Sequence, residues 1–329
     1  MDVAIVGATG LVGQVIFEIL DKSKIKVDNI YAVASERSIG QSIKFKGADI
    51  KIISIENVLQ NKIDVAIFSA GKEVSLKWAP IFVKEGIYVI DNSSAWRMDE
   101  TKKLIIPEIN GYILQKEDKI IPNPNCSTIQ MVMAIHNIHR KYNILRIIVS
   151  TYQSISGTGR KAIAQLDSEE NNTNAEKVYP HQIYKNAIPH CDEFEENGYT
   201  KEEMKLVNET NKILGSNISI TATAVRLPIS GGHSESINIT LEKSFDINDI
   251  KKIIQNSEGV ILEDKPFENH YPMPLSSQGK DDVYVGRVRR DNSCENSLNM
   301  WVVCDNLRKG AATNTIQIMQ LLTEKGFID

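Results

Sequence analysis

The sequence predicts an α/β chain in two parts: a doubly wound parallel sheet over residues 1–125, then an α+β part built on a mixed sheet. Three observations predict this. Short apolar strands alternate with helix-period segments in the first part, the pattern of βαβ units. A glycine-rich turn, GATGLVG at 7–13, joins the first strand to the first helix. The second part is β-rich and less regularly interleaved with helices, as in mixed or antiparallel sheets.

The elements follow in order. Residues 1–7 form an apolar strand, and Val12, Val15, Ile16, Ile19 and Leu20 then recur at helical spacing. Strands are expected at 29–34, 64–69, 87–90 and near 104–106, with a helix carrying Val74, Trp78 and Phe82 between the second and third. A helix opens at Cys126, followed by Ile129, Met131, Val132, Met133 and Ile135. Further strands are expected at 145–152, 218–226, 234–242, 283–289 and 297–304, and helices around 159–170 and 200–214. The polar segment 171–198, with Asn171, Asn172, Pro180 and Pro189, reads as a long excursion. Ala312, Ile316, Met319 and Leu322 give a final helix one apolar face. The expected domains are 1–125, with 306–329 packing back on it, and 126–305.

Bulk properties narrow the function. The 329 residues suffice for two domains with ordinary cores. Apolar residues at 42% and charged residues at 24% fit a globular protein. A net charge of −4 advertises no basic surface for nucleic acid. No run reaches the length of a membrane span, and the start lacks the pattern of a signal peptide. Cys126, Cys191, Cys294 and Cys304 are scattered without a CxxC pair, which fits a reducing cytoplasm.

Two local features carry chemistry. In GATGLVG the glycines permit a tight turn, close approach of backbone N–H groups to a pyrophosphate, and close helix–strand packing. Its place between a strand and a helix gives the motif weight over a plain glycine-rich turn. At the end of the second strand, Ser35, Glu36, Arg37 and Ser38 offer both an acid for a ribose hydroxyl and an arginine with serines for a 2′-phosphate. The second feature is Cys126, within PNPNCST at 122–128. A thiol at a helix start is pushed toward the thiolate by the exposed N–H groups there. Most cysteines are inert apolar residues, so the thiol needs partners. Gln153, at a strand end, and His233, in RLPISGGH at 226–233, are the candidates. A nucleophilic thiol and a nicotinamide together point to aldehyde oxidation through a thioester.

The chain resembles aspartate-semialdehyde dehydrogenases from end to end. The matching stretches are GATGLVG (7–13), ASERS (34–38), FSAG (68–71), DNSSAWR (91–97), PNPNCST (122–128), YQSISGTG (152–159), EEMK (202–205), VRLPISGGHS (225–234), VGRVRRD (285–291) and WVVCDNLRKGAATNTIQ (301–317). The resemblance implies a Rossmann-type domain and a catalytic and dimerisation domain, with NADP as cofactor. It implies a step in the biosynthesis of lysine/diaminopimelate, threonine and methionine, carried out by a homodimer or tetramer. Cys126 then corresponds to the nucleophile, His233 to the general acid/base and Gln153 to the orienting glutamine. Arg226 corresponds to the arginine that grips the substrate carboxylate, and Glu202 to the residue facing its amino group. Arg97 and Lys205 correspond to the phosphate-binding pair, and Asn125 to a further substrate contact. Gly7, Thr9, Gly10, Leu11, Val12, Gly13, Ser35, Arg37, Ser38, Ala70, Gly71, Ser156, Gly157 and Asn306 correspond to cofactor-binding positions. A charged His233 is further expected to stabilise the Cys126 thiolate. Lys72 stands where the family has a second glycine after FSAG, and Gln41 where relatives often have lysine.

Rivals are N-acetyl-γ-glutamyl-phosphate reductase, glyceraldehyde-phosphate dehydrogenase, a non-catalytic nucleotide sensor and a cysteine hydrolase. DNSSAWR, YQSISG and DNLRKG favour the aspartyl enzyme over the two dehydrogenases. The intact Cys126, Gln153 and His233 set argues against the sensor, and the nucleotide loop against the hydrolase. His136 and His139, and the group His181, His190 and Cys191, have no recognised metal-ligand spacing; they are expected to be solvated or capping, and no metal is expected.

Overall fold

The computed structural model describes residues 1–328 and resolves two compact units, Met1–Asn125 with the chain from Ala311 onward, and Cys126–Gly310. The first unit contains β1 (Asp2–Val6), α1 (Leu11–Lys22), β2 (Asn29–Val33), β3 (Ser42–Phe45), β4 (Ala48–Ile53), α2 (Ile55–Val58), β5 (Val65–Phe68), α3 (Lys72–Lys84), β6 (Tyr88–Asp91), α4 (Pro107–Asn110) and β7 (Ile120–Pro122). Its seven-stranded sheet runs β3-β4-β2-β1-β5-β6-β7. All neighbours are parallel except β3 and β4. Strands β1, β5 and β6 are buried on both faces, as apolar runs such as AIV at 4–6 and VAIF at 65–68 require, while the edge pair β3 and β4 is largely exposed.

The second unit contains α5 (Cys126–Tyr142), β8 (Ile144–Gln153), α6 (Arg160–Glu170), α7 (Lys201–Leu214), β9 (Ser219–Arg226), β10 (His233–Leu241), α8 (Ile247–Gln255), β11 (Val260–Leu262), α9 (Pro274–Ser277), β12 (Val283–Arg290) and β13 (Ser297–Cys304). Its sheet runs β11-β12-β13-β10-β8-β9 and is mixed, with β11/β12 and β8/β9 parallel and the rest antiparallel. Along β8 and β10 alternate residues are buried, among them Ile147, Val149, Ile237 and Ile239. Helix α5 packs on α7, α8 and β10. Thr200 caps α7 through a capping box with Glu203, and Gly215 ends it in the left-handed region.

The chain then returns to the first unit as α10 (Thr313–Glu324). Ile316, Met319 and Leu322 join Ile16, Phe17 and Leu20 of α1 in a core on one face of the parallel sheet. Val58, Ala79 and Phe82, from α2 and α3, fill the other face. The crossing into this unit falls after Gly310, so Asn306–Gly310, grouped with the final helix in the sequence reading, lie in the second unit.

Three differences from the sequence reading have physical causes. Leu104, Ile105 and Ile106 are buried but form no strand. The Asn110 side chain instead serves their backbone, accepting from the Ile106 N–H at 2.9 Å and donating to the Leu104 carbonyl at 2.9 Å. The outermost strand is β7, at 120–122. The edge hairpin β3–β4 was hidden in a polar sequence; Lys46 and Gly47 turn it with φ of 47° and 80°. The 171–198 excursion lacks named helices and strands but packs on α6 through Tyr179, Ile183 and Ile188. There Gln165 and Glu169 of α6 accept backbone N–H groups of Val178, Tyr179, Ile183 and Tyr184.

Candidate active site

In the first unit, β1 ends in a cradle that has no room for side chains. Gly7 has φ +96°, and a Cβ on it would stand 2.3 Å from the Ser69 carbonyl oxygen. A Cβ on Gly13 would stand 2.3 Å from the Gly7 carbonyl oxygen. Gly10 caps α1, so Thr9, Gly10, Leu11 and Val12 form the rim of a helix N-terminus, a preferred seat for a pyrophosphate. Gly7 and Ala8 both donate to the Val33 carbonyl, at 2.9 and 3.0 Å, which holds the end of β2 against this loop. A short 3₁₀ turn over Glu36–Ser38 follows β2; Ser35 and Arg37 are exposed and Ser38 half-buried. Ala70 and Gly71 are exposed at the end of β5, and Gly71, φ +90°, caps α3. Lys72 is the first residue of that helix and exposed, a place that needs no glycine.

The DNSSAWR turn of the same unit is organised by a buried acid. Asp91 accepts from the Ser93 hydroxyl at 2.7 Å and from its N–H at 3.2 Å, while burial pushes its carboxyl above the usual range. The turn folds Arg97 inward, where Nη2 donates to the Asn92 carbonyl at 2.8 Å. Asn125, also buried, is the last residue of the unit's first stretch. Asn92, Asn123, Asn314 and Thr315 form a hydrogen-bonded set that fastens α10 to this region.

The second unit gathers the remaining candidates. Cys126 is the first residue of α5 and half-buried. Of the other cysteines, Cys294 is exposed, while burial pushes the Cys191 thiol up to about 11 and the Cys304 thiol well above its ordinary value. Sheet register brings Gln153 beside Arg226 across β8 and β9, and His233 beside Cys304 across β10 and β13. Gln153 Nε2 lies 3.0 Å from the hydroxyl of Ser127, the neighbour of Cys126, and 3.1 Å from Glu202 Oε1. Glu202 Oε2 accepts from Lys205 Nζ at 3.0 Å, and Lys205 also reaches Asp192 at 2.7 Å. Burial opposes charge on Glu202, but Lys205 and Arg226 outweigh it and hold the carboxyl at about 2. Arg226 donates through Nη1 to the Ser154 carbonyl at 2.7 Å.

His233 differs from the expected charged imidazolium. It is wholly buried, and desolvation together with the Arg226 charge lowers its pKa to about 3. Its Nδ1 accepts the Ser154 N–H at 3.1 Å, so the ring hydrogen of the neutral form sits on Nε2. Among the described residues, Nε2 has no hydrogen-bond partner. Above it Gly157 leaves a gap: a Cβ there would stand 3.2 Å from both His233 Nε2 and Arg226 Nη1. The ring therefore presents an N–H, not a charge, to whatever enters.

Asn306 and Ser156 serve the local structure here. Asn306 Oδ1 accepts from Ser154, Ser156 and the Gly232 N–H, and its amide donates to Ser156. Sequence reading passed over Ser154, which fixes the His233 tautomer, Ser127, which bridges to Gln153, and Asp192, which shares Lys205 from within the excursion. Ser127, inside PNPNCST, and Ser154, inside YQSISGTG, lay in quoted motifs, whereas Asp192 carried no signal in the sequence. His136 is not solvated; it is buried, with Nδ1 3.0 Å from the Met133 carbonyl. His139 closes its helix by accepting the Ile144 N–H. Among the described residues, no group of three or more His, Cys, Asp and Glu is placed to hold a metal. Nor is any helix there long and apolar enough to cross a membrane.

Two family models divide the chain much as the units do. One described as "Semialdehyde dehydrogenase, NAD binding domain" matches residues 2–116. The other, "Semialdehyde dehydrogenase, dimerisation domain", matches residues 135–309, more than half of the chain. The fold and these matches define the class as semialdehyde dehydrogenase. The aspartate-semialdehyde dehydrogenase of Aquifex aeolicus is 48% identical, over 99% of both chains. That of Bacillus subtilis is 43% identical over 100% of this chain and 99% of its own. A crystal structure of aspartate semialdehyde dehydrogenase II from Vibrio cholerae superposes with a TM-score of 0.94 at 41% identity, covering 98% of each chain. The chain belongs to the aspartate-semialdehyde dehydrogenase family.

Proposed function

We propose that this protein interconverts aspartate β-semialdehyde and 4-phospho-L-aspartate, in amino-acid biosynthesis, through a thioester on Cys126. The observation that carries the reading is the charge pattern around Gln153: a carboxylate at Glu202 and a guanidinium at Arg226 suit an amino-acid headgroup, beside the helix that opens with the thiol. The Vibrio cholerae enzyme, 41% identical, was solved in complex with ASA, which supports the substrate class.

Arg226 binds the substrate carboxylate, and Glu202 its ammonium. The Cys126 thiolate attacks the aldehyde carbon. His233 Nε2–H donates to the oxygen of the tetrahedral adduct, where charge develops. Gln153 and Ser127 orient the reacting carbon above the helix start. NADP⁺, held by the 7–13 loop with Ser35, Arg37 and Ser38, supplies the hydride acceptor when bound. Cys126 is then left as the aspartyl thioester. A phosphate oxygen, neutralised by Lys205 and Arg97, adds to the thioester carbonyl, and the thiolate leaves. Reduction of the acyl phosphate runs the same steps backward. The partly exposed outer face of the mixed sheet, with Thr223, Ser150, Ser236 and Trp301 in register, supports a homodimer joined through this domain, in the cytoplasm.

The test is phosphate-dependent reduction of NADP⁺ with aspartate semialdehyde, beside N-acetylglutamate semialdehyde. Turnover with the first substrate alone is expected. Cys126→Ala abolishes it, retains NADP⁺ binding, and forms no acyl adduct by mass spectrometry. Substantial activity in that variant sinks the assignment; turnover only with the second substrate makes the protein the glutamyl enzyme.

A further inference from the structure

Lys205 has two anionic partners. Its Nζ donates to Asp192 Oδ2 at 2.7 Å and to Glu202 Oε2 at 3.0 Å. Burial opposes charge on both carboxyls and Lys205 outweighs it, so two carboxylates share one ammonium and the trio is net negative. Arg226, whose charge also reaches Glu202, is assigned to the substrate carboxylate. A trio of that sign opposes the approach of the anion that Lys205 is assigned to bind. For phosphate to gain the full ammonium charge, one carboxylate has to let go.

The two carboxylates are not equally replaceable. Glu202 sits on α7 with its side chain only 9% exposed, and it also meets Gln153. Asp192 lies in the 171–198 excursion, outside any named helix or strand, with its side chain 36% exposed. Water can solvate Asp192 once it releases Lys205, which it cannot do for Glu202, and ion pairs open to solvent are weak enough to exchange. The placement of Asp192 is nevertheless built. On one side Ile188 exchanges backbone hydrogen bonds with Arg226, at 3.0 and 2.8 Å. On the other, the Glu193 carbonyl accepts the N–H of Lys201, the first residue of α7, at 2.8 Å. Between these anchors Asp192 turns with φ 70°, a region aspartate tolerates. Its Oδ1 accepts the Glu193 N–H at 2.9 Å while Oδ2 faces Lys205.

We propose that Asp192 is a positioning residue that stands in for phosphate on Lys205: it holds the ammonium in place, gives it up when phosphate binds and retakes it when phosphate leaves. In the reductive direction phosphate is a product, and the waiting carboxylate favours its exit. This rests on the reading of Lys205 as a phosphate ligand. The test varies phosphate at saturating NADP⁺ and aspartate semialdehyde. Asp192→Asn keeps the size and removes the charge. It should lower KM for phosphate roughly threefold to fivefold, and lower by a similar factor the inhibition constant of sulfate, an inert phosphate analogue. KM for aspartate semialdehyde stays within about twofold. Asp192→Ser shifts phosphate KM the same way, so either variant decides if the other folds poorly. Lys205→Met raises phosphate KM at least roughly tenfold and abolishes the effect of Asp192→Asn when the two are combined. A residue that merely braced Lys205 would move phosphate KM upward on substitution. Phosphate KM and sulfate inhibition unchanged or weakened in the Asp192 variants, with Lys205→Met behaving as expected, overturn the proposal alone. A phosphate KM indifferent to Lys205→Met overturns the reading of Lys205 itself, and the proposal with it.

Discussion

A Cβ added to Gly310 would stand 2.9 Å from the Cβ of Cys126 and 3.4 Å from its Cα. Gly310 lies in a π-helical turn, Arg308–Ala312, a geometry that concentrates at functional sites. The contact is with the root of the thiol side chain, so relief requires α5 or the turn to shift. Gly310→Ala should therefore lower kcat at least tenfold while KM changes little, with a fall in Tm of a few degrees. Wild-type kcat in that variant would show that the turn does not set the position of Cys126.

That contact also marks the limit of sequence reading. Strand and helix placement in the first part was legible because apolar runs and the 7–13 glycines are local signals. Cys126, Gln153 and His233 were legible because they sit in ordered motifs. The approach of Gly310 to Cys126 was not, although Gly310 lies in the 301–317 stretch, because the two are 184 positions apart in the chain and only packing brings them together. The neutral state of His233 was hidden for a related reason. It depends on burial and on Arg226, whereas the surrounding Gly-Gly-His-Ser suggests an open loop. The pairing of Glu202 with Lys205 was readable from helical spacing, but the share of Lys205 held by Asp192 was not.

Glu202 links three functional groups, accepting from Gln153 and Lys205 within reach of the Arg226 charge. Glu202→Gln keeps the size and removes the charge. A substrate ammonium then loses a charge-assisted partner, an interaction of about 1.5–3 kcal/mol. KM for aspartate semialdehyde should rise roughly tenfold to a hundredfold, with a smaller change in kcat. An unchanged KM would remove Glu202 from substrate binding and leave it as the anchor of Lys205.

The proposed preference for NADP puts Arg37 at the 2′-phosphate. This arginine stands exposed on the 3₁₀ turn after β2, which the Val33 carbonyl holds against the glycine loop. Arg37→Ala should lower kcat/KM for NADP⁺ by roughly tenfold to a hundredfold and leave NAD⁺ within about threefold. Equal losses with both cofactors would mean that the residue shapes the turn without contacting a 2′-phosphate.

The folded-state pKa of His233, about 3 against 6.5 for the free side chain, makes a stability prediction with a definite sign. Between those values the unfolded chain binds a proton that the native ring refuses. Stability then rises with pH at about 1.4 kcal/mol per pH unit for that one group. It is fully present above pH 6.5 and is lost progressively as pH falls toward 3. Glu202, held at about 2 against 4.5, adds a loss of the same sign in a lower window. His233→Gln removes the first contribution and leaves the second. Between pH 6.5 and ~5 the variant should therefore lose about 2 kcal/mol less than the wild type, measured by urea unfolding at each pH. Parallel stability curves would mean that His233 takes up its proton in the folded protein, and the Nε2–H donor role would then give way to an imidazolium.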